Sequence, residues 1–287
     1  MPSVATLALT ALAMIAFAGN SLLCRMALRH TTIDPASFTS IRIVSGALVL
    51  WLIVHIRGGA RDGASRAVAG SWPSAMALFA YAACFSFAYV SLPAASGALL
   101  LFGAVQATMI GYGLWTGERL GLVQSAGLLC ASGRLLGLML PGVSAPPLPA
   151  AILMLCAGCA WGIYSLRGKG IADPTSMTMG NFLRAAPFAI VLSAIALPRA
   201  SLDRDGVCYA IASGALTSGV GYAIWYTALR DLRATYAAVV QLSVPVFAAI
   251  GGIALLGEAV SLRLAIASGA ILGGIALVIL ETPVRSR

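Results

Sequence analysis

Aromatic side chains occur in pairs near the middle of three long apolar stretches of the 287-residue sequence. The pairs are Tyr81–Phe85, Trp161–Tyr164 and Tyr222–Trp225. Because residues three or four apart share one face of a helix, both rings of a pair can face the same space. Such rings bind flat apolar molecules by stacking, and their hydroxyl and indole groups need polar partners. Packing in the core or against lipid explains any single ring equally well, but the group favours a pocket, which Tyr236 is predicted to join.

Amide side chains interrupt four of the apolar stretches. They are Asn20, Gln106, Asn181 and Gln241. An amide in hydrocarbon is costly unless it has a hydrogen-bond partner, so each must face protein or a water-filled cavity. Two interpretations stay open for each: a hydrogen bond that joins neighbouring helices, or a contact with a ligand. Gln241 is the most suggestive, because Pro245 lies one turn later and frees a backbone carbonyl near it. We predict Asn20, Asn181 and Gln241 as ligand contacts.

Three arginines, Arg42, Arg134 and Arg184, also lie within apolar stretches. An unpaired arginine in hydrocarbon costs about 3 kcal/mol or more. Arg42 and Arg184 are predicted to occupy equivalent places in the two halves of the chain. They either meet a ligand carboxylate, bond to carbonyls at broken helix ends, extend to an interface or hold the halves together. Arg134 has no counterpart in the last stretch and is placed outside the site.

Every acidic residue lies in a predicted loop or at the end of an apolar stretch. The nine are Asp34, Asp62, Glu118, Asp173, Asp203, Asp205, Asp231, Glu258 and Glu281. His30 and His55 also lie near stretch ends, so no chain of titrating groups crosses the apolar region. A proton-coupled exporter of organic cations usually needs a carboxylate at mid-depth. The sequence therefore favours facilitated diffusion or exchange, unless a shallower group such as Glu118 couples transport to protons.

Motifs of catalysis are missing from the sequence. It has neither a Gly-x-x-x-x-Gly-Lys-Ser/Thr loop for nucleotide hydrolysis nor a His-Glu-x-x-His helix. Cys156 and Cys159 have helical spacing, but no further cysteine or histidine lies nearby to complete a zinc site. No basic run with interleaved aromatic residues suggests nucleic-acid binding. We predict no catalytic residue, metal or cofactor, and a protein that is not an enzyme and has no nucleic-acid partner.

The elements that must position these residues are apolar stretches of about twenty residues, the length that crosses a bilayer. The composition is 60% hydrophobic and only 9% charged, too apolar for a soluble domain. We predict an all-α polytopic membrane protein with ten transmembrane helices. The predicted spans are roughly 4–27, 35–56, 71–91, 94–116, 121–140, 149–168, 175–197, 206–228, 234–256 and 262–281.

Lysine and arginine near the span ends predict the orientation. One set of ends, which includes both termini, carries roughly twice as many of these charges as the other. Because cytoplasmic loops are enriched in lysine and arginine, both termini are predicted to be cytoplasmic. The net charge of +9 mostly reflects this topological signal.

The two halves of the chain, 1–145 and 146–287, repeat the same motifs in the same order. The matches include Asp34-Pro35 with Asp173-Pro174, Gly117-Glu118 with Gly257-Glu258, and Gly133-x-x-x-Gly137 with Gly269-x-x-x-Gly273. Because each half has an odd number of spans, the second copy is inverted in the membrane. Inverted repeats are typical of secondary transporters, whose substrate site lies between the halves. We predict Gly19, Gly162 and Pro245 as gating points, where local bending costs least.

The ordered motifs resemble the EamA-type repeat of the drug/metabolite transporter superfamily. The order is Asp-Pro, a mid-helix arginine, a small-residue fourth span, Gly-Glu and a glycine-rich fifth span. Within that family, the chain is most similar to bacterial YddG-type exporters of aromatic amino acids. The resemblance implies a cavity walled by helices 1–4 and 6–9, with helices 5 and 10 more peripheral. It also implies residence in the bacterial inner membrane.

The expected function is export of aromatic or other neutral amino acids and related metabolites by alternating access. Its partners would be that small-molecule substrate and the lipid bilayer, in a monomer or weak homo-oligomer. The substrate-binding set is predicted to be Asn20, Tyr81, Phe85, Trp161, Tyr164, Asn181, Tyr222, Tyr236 and Gln241. The alternatives are proton-coupled export of drugs or other metabolites, a channel, or a membrane protein that transports nothing.

Overall fold

The structure is a computed structural model of the 287-residue chain. It describes residues 3–58, 69–117, 121–122, 125–127, 129, 133, 146–168, 171, 173–229, 232, 240–259 and 261–280. Within these ranges the chain forms helices and connecting turns, without a strand.

The described helices follow the predicted spans closely. They are α1 (Val4–His30), α2 (Pro35–Gly58), α3 (Trp72–Tyr89), α4 (Ala94–Trp115), α5 (Leu148–Arg167), α6 (Pro174–Ala196), α7 (Arg204–Leu229), α8 (Ser243–Leu256) and α9 (Leu262–Leu280). The short 3₁₀ turn Leu197–Arg199 follows α6. Most of the predicted fifth span, including Arg134, and the first residues of the predicted ninth span lie outside the described residues. Six of the described helices, namely α1, α2, α4, α5, α6 and α7, are long and apolar enough to cross a membrane.

Helix α7 contains an irregularity that the sequence analysis did not predict. Its middle, Ser213–Val220, is a π-helix between the α-helical segments Arg204–Ala212 and Gly221–Leu229. The wider turn of a π-helix changes the direction in which side chains point, and such segments are frequent at functional sites.

The repeated Asp-Pro motif starts a helix at both of its occurrences. Asp34 Oδ1 accepts hydrogen bonds from the backbone N–H groups of Ala36 and Ser37, at 3.0 Å each. Asp173 is the N-cap of α6 and accepts from the N–H of Ser176 at 3.2 Å. These bonds satisfy N–H groups that a helix start otherwise leaves without partners. The prediction that both motifs begin helices is confirmed.

The main helix contacts join the first part of the chain to the second. Helix α3 packs on α5, α2 on α6 and on the π-helical segment, and α4 on α5. Helix α1 packs on α8 and on the last segment of α7. The core of the described bundle therefore lies between residues 3–117 and residues 146–280.

The outer surface of the bundle carries large apolar side chains. Leu48, Ile190 and Ile195 are 61%, 63% and 74% exposed. Soluble proteins rarely present extended apolar surface, whereas a lipid-facing helix requires it. Polar side chains such as Asn20, Thr178 and Ser218 are buried inside. This distribution fits a protein that is embedded in lipid.

One end of the bundle, here called the Glu258 end, is held by buried charges. Arg25 of α1 donates from Nε to Glu258 Oε1 at 2.9 Å, and both residues are less than 10% exposed. Glu258 Oε2 accepts from the N–H of Ala94 at the start of α4, at 2.7 Å. Arg25 Nη1 also donates to the carbonyls of Tyr89 and Val90, at 2.9 and 3.0 Å. Helices α1, α3, α4 and α8 are thereby tied together.

Two loops meet at the same end. Asp34 Oδ2 accepts from the N–H of Ser201 at 3.0 Å, and the carbonyl of Ser201 accepts from the N–H of Asp34. Partial burial raises the pKa of Asp34, but hydrogen bonds from Ser37, Ser201 and Ala36 outweigh it and hold that pKa below its usual value. The loops before α2 and before α7 are thus joined by a carboxylate that is held ionised.

The helices at the opposite end, here called the Ser71 end, are joined by hydrogen bonds of an asparagine and two arginines. Asn181 Oδ1 accepts from the N–H of Ser71 at 2.9 Å, just before α3 begins. Arg167 at the end of α5 donates from Nε to Ser74 Oγ at 3.0 Å. Arg184 of α6 donates to the carbonyl of Ala69 at 2.9 Å. The start of α3 is therefore bound to both α5 and α6.

Candidate functional site

A cavity lies in the middle of the bundle between the two ends. It is lined by Phe17, Asn20, Tyr81, Phe85, Leu101, Phe102, Trp161 and Tyr222. These residues come from α1, α3, α4, α5 and α7, on both sides of the central contact. The space between the rings has room for little more than a water molecule. An aromatic ligand therefore enters only after the rings or helices move.

Four of the aromatic residues predicted from sequence line this cavity, namely Tyr81, Phe85, Trp161 and Tyr222. The Trp161 ring centroid lies 4.9 Å from that of Tyr81 and 4.9 Å from that of Tyr222, with interplanar angles of 48°. Phe85 lies 5.3 Å from Tyr81. These tilted contacts are within the range that favours aromatic pairs. The rings are in mutual contact, so a flat ligand inserted between them would replace one set of aromatic contacts by another.

Asn20 connects the cavity to the π-helix. Its Nδ2 donates to the Tyr81 hydroxyl at 3.0 Å. Its Oδ1 accepts from Ser213 Oγ at 2.6 Å and from Thr217 Oγ1 at 3.3 Å. The helix-joining role left open by the sequence is therefore present, and Asn20 also lines the cavity.

Arg42 lies behind the aromatic wall, fully buried in α2. Its Nε donates to Ser218 Oγ at 3.2 Å and its Nη2 donates to the Tyr81 hydroxyl at 3.0 Å. The guanidinium carbon lies 5.1 Å from the ring centroid of Tyr81 and 4.9 Å from that of Phe85. Cation–π attraction to these rings stabilises the charge in part.

The π-helix brings its hydroxyl groups within reach because the helices approach closely there. A Cβ atom on Gly214 would lie 2.0 Å from Ser45 Oγ and 2.2 Å from the carbonyl oxygen of Arg42. Only glycine allows α2 and the π-helix to pack at this distance. Ser218 then reaches Arg42, while Ser213 and Thr217 face Asn20.

Tyr164 and Asn181, two residues of the predicted set, lie outside the cavity lining. Tyr164 and Asn181 are buried toward the Ser71 end, with Asn181 Nδ2 donating to the Tyr164 hydroxyl at 3.4 Å. Trp161 connects them to the cavity, since its ring centroid lies 5.6 Å from that of Tyr164. Their role as substrate contacts stays a prediction.

The other predicted residues are Arg184, Gln241, Pro245 and Tyr236. Arg184 bonds to the carbonyls of Ala69 and Gly180 rather than to a cavity group, at 2.9 and 3.1 Å. Gln241 is buried next to a turn at Leu242 that precedes α8, and Pro245 lies in the first turn of α8. Tyr236 lies outside the described residues.

The gating glycines differ in their surroundings. A Cβ atom on Gly19 would make an ordinary 3.4 Å contact with Thr217 Cγ2. On Gly162 it would lie 2.9 Å from Thr108 Cβ, so this glycine also lets α5 pack tightly on α4. A gating role for these positions stays a prediction.

Several cavity residues were missed by the sequence analysis. Phe17, Leu101 and Phe102 line the cavity. The hydroxyl residues that bond to Asn20 and Arg42 behind it were missed as well, namely Ser213, Thr217 and Ser218. Phe17 lies one helical turn before Asn20, so the helical spacing of these two residues was a usable signal. Across the described ranges, no group of three or more histidine, cysteine or acidic residues is placed to hold a metal.

Comparison with known proteins gives three findings. The sequence model of the EamA-like transporter family matches residues 148–280. An uncharacterized protein of Pseudomonas aeruginosa is 56% identical over 279 residues, which are 97% of this chain and 96% of the relative. A solved crystal structure of another protein aligns with this chain with a TM-score of 0.67, over 97% of this chain and 98% of the other. At 18% identity, that alignment concerns the fold alone.

The family match agrees with the apolar helices and with the cavity at the centre of the bundle. The name of the family is that of transporters rather than of enzymes. The chain is a multi-pass membrane protein, and its second half, residues 148–280, matches the EamA-like transporter family.

Proposed function

We propose that this protein is a secondary transporter that exports aromatic or other large neutral amino acids and related metabolites. The observation that carries the proposal is the central cavity, in which Tyr81, Trp161 and Tyr222 form one continuous aromatic wall. Ligand pockets combine such apolar walls with a few polar groups that fix orientation. Asn20 and the Tyr81 hydroxyl supply those groups. The resemblance to YddG-type exporters supports the same substrate class.

The proposed architecture is ten spans in two inverted repeats, 1–145 and 146–287, in a bacterial inner membrane. The Glu258 end would face away from the cytoplasm, and both termini would be cytoplasmic. This orientation rests on the lysine and arginine distribution. The packing of residues 3–117 against residues 146–280 supports a site between the halves.

The proposed mechanism is alternating access from the closed state described above. Hydrogen bonds and charges tie the helices at both ends of the bundle, and the rings fill the space between them. Release of the Ser71 end would admit substrate from the cytoplasm. Release of the Glu258 end would discharge it on the other side.

The proposed selectivity comes from the aromatic wall. Contacts between aromatic rings are worth about 0.5–1.5 kcal/mol beyond the burial of apolar area. That difference favours aromatic over small aliphatic side chains by roughly two- to tenfold. A ligand that separates the rings of Trp161 and Tyr222 would gain such contacts on both of its faces.

Counterflow in liposomes tests the proposal. Purified protein is reconstituted with a panel of unlabelled amino acids, sugars or quaternary amines inside, and uptake of the labelled compound is followed. The proposal expects saturable counterflow of phenylalanine, tyrosine and tryptophan. Parallel assays with a pH gradient test the proton-coupled alternative. Uptake that never saturates would indicate a channel, and no uptake of any aromatic amino acid would refute the proposal.

A further inference from the structure

Arg42 has one hydrogen-bonding group to spare. Its Nε and Nη2 are bonded to Ser218 and Tyr81, but its buried Nη1 has no hydrogen-bond partner within the part of the chain that the structure describes. A buried donor without a partner is costly, and the cost is greater for a charged group. Such a group in a native protein needs an explanation, and a ligand that bonds to it is one.

Among the residues that the structure describes, no carboxylate pairs with the positive charge of Arg42. The two ion pairs found among the described residues both use Glu258, with Arg25 and Arg29 as partners. The other described acidic residues, Asp34, Asp173, Asp203 and Asp205, lie at or beyond helix ends. Hydroxyl groups and aromatic faces surround the guanidinium, and they compensate a full charge less well than a carboxylate does.

The guanidinium lies one ring away from the cavity. Tyr81 and Phe85 line the cavity on one face, and Arg42 lies about five ångströms from their ring centroids. The Tyr81 hydroxyl accepts hydrogen bonds from both Arg42 and Asn20. A ligand in the cavity therefore reaches the Nη1 group only after the Tyr81 or Phe85 ring moves.

We propose that Arg42 binds the carboxylate of the transported molecule. An aromatic carboxylate that has no ammonium group then binds with an affinity similar to that of an aromatic amino acid. This inference rests on the proposed function, because it assigns the ends of the ligand within the same cavity. The ligand ring lies along Trp161 and Tyr222, and its carboxylate bonds to Nη1. No acidic side chain is among the cavity-lining residues described, so no carboxylate there would pair with an ammonium group.

The experiment compares three ligands that share a phenyl ring: phenylpropanoate, phenylalanine and phenethylamine. Binding is measured as ligand-dependent thermal stabilisation of purified wild-type protein. We expect both carboxylates to stabilise it at similar concentrations, with phenethylamine at least about tenfold weaker because it has no group for Arg42. Phenethylamine that binds as well as phenylpropanoate would overturn the inference.

Variants separate a role in ligand binding from a role in folding. Arg42→Gln should weaken both carboxylates by about tenfold or more and leave phenethylamine unchanged, since the amine makes no charge-assisted bond to Arg42. Arg42→Lys keeps the charge and should recover part of the binding, which also controls for misfolding. Arg184→Gln is the matched control, because Arg184 bonds to backbone carbonyls away from the cavity. It should leave the ratio of carboxylate to amine affinity unchanged.

Two failures are distinguishable. If phenylalanine shows counterflow but Arg42→Gln binds all three ligands as wild type does, the inference is wrong and the proposed function stands. If the wild-type protein binds none of the three ligands and transports no aromatic amino acid, both are wrong.

Discussion

Arg25 and Glu258 are 233 residues apart in sequence, yet their side chains form a buried ion pair of 2.9 Å. The same carboxylate accepts a hydrogen bond from the first residue of α4, where the helix dipole favours negative charge. The pair therefore joins the end of α1 to the ends of three other helices. Glu258 alone makes three of the contacts at this end, with Arg25, Arg29 and Ala94.

Glu258→Gln should loosen the Glu258 end. The amide keeps some hydrogen bonds but loses the charge-assisted bonds to Arg25 and Arg29, which are worth about 1.5–3 kcal/mol each. Cys24 is buried beside Arg25 and can report the change, once the other cysteines are replaced. Its labelling rate by a membrane-impermeant thiol reagent should rise by about tenfold. Asp205→Asn, an exposed carboxylate at the same end, is the control. Equal labelling in wild type and Glu258→Gln would show that the ion pair does not hold this end shut.

Acid should weaken the joint between the two loops at the Glu258 end. Folding lowers the pKa of Asp34 below its ordinary value of 3.8. Its contribution to the stability of the fold is therefore fully present above pH 3.8 and is lost as the pH falls through the lower pKa of the folded state. Thermal unfolding in detergent from about pH 5 to about pH 3 measures this. Asp34→Asn should lower the unfolding temperature at pH 5 and flatten its dependence on pH. A variant whose unfolding temperature has the same pH dependence as wild type would contradict the assignment.

The gating hypothesis concerns Gly19, Gly162 and Pro245. Gly19→Val, Gly162→Val and Pro245→Ala should each slow turnover more than they weaken binding, because bending at these points becomes harder. Gly111→Val is the control, since a Cβ atom there meets no atom within 4 Å. Turnover by counterflow and affinity by thermal stabilisation are compared in the same preparations. Unchanged turnover in all three variants would end the hypothesis.

The proposed orientation has a direct test in intact cells. A cysteine at Ser286 should react with an impermeant reagent only after the membrane is opened. A cysteine at Leu202, which is exposed in the loop between α6 and α7, should react from outside. The opposite labelling pattern would invert the topology.

The helices could be predicted because continuous apolar runs and capping residues are local features of the sequence. Asp34-Pro35 and Asp173-Pro174 begin helices by the same side-chain bonds in both halves. The aromatic cavity could be predicted in part, since the helical spacing of the pairs indicated shared faces. Whether one ring or both rings of a pair line the cavity depends on how each helix is rotated about its axis. That rotation is determined by packing against the other helices.

Three features of the site were not predicted, and the first two depend on long-range contacts. The π-helix at Ser213–Val220 has no composition that distinguishes it from an α-helix. Glu258 stands at a helix end, which usually means solvent, but packing against α1 and α4 buries it. The third feature is the difference between Arg42 and Arg184, which the sequence analysis places at equivalent positions. Arg42 follows Asp34 by the same number of residues as Asn181 follows Asp173, so Asn181 is the counterpart of Arg42. The two arginines accordingly lie in different surroundings.

The central claim is that the ring of the substrate binds among Tyr81, Trp161 and Tyr222. The most direct test is tryptophan counterflow in liposomes with wild type, Trp161→Ala, Tyr222→Ala and the control Trp51→Ala. Trp51 is exposed and stacks on His55 at the outer surface, so its loss should leave uptake near the wild-type rate. Loss of either cavity ring should reduce uptake by roughly two- to tenfold, the equivalent of about 0.5–1.5 kcal/mol. Wild-type liposomes that carry sugar phosphates or quaternary amines but not tryptophan would contradict the claim, as would full tryptophan uptake by Trp161→Ala and Tyr222→Ala.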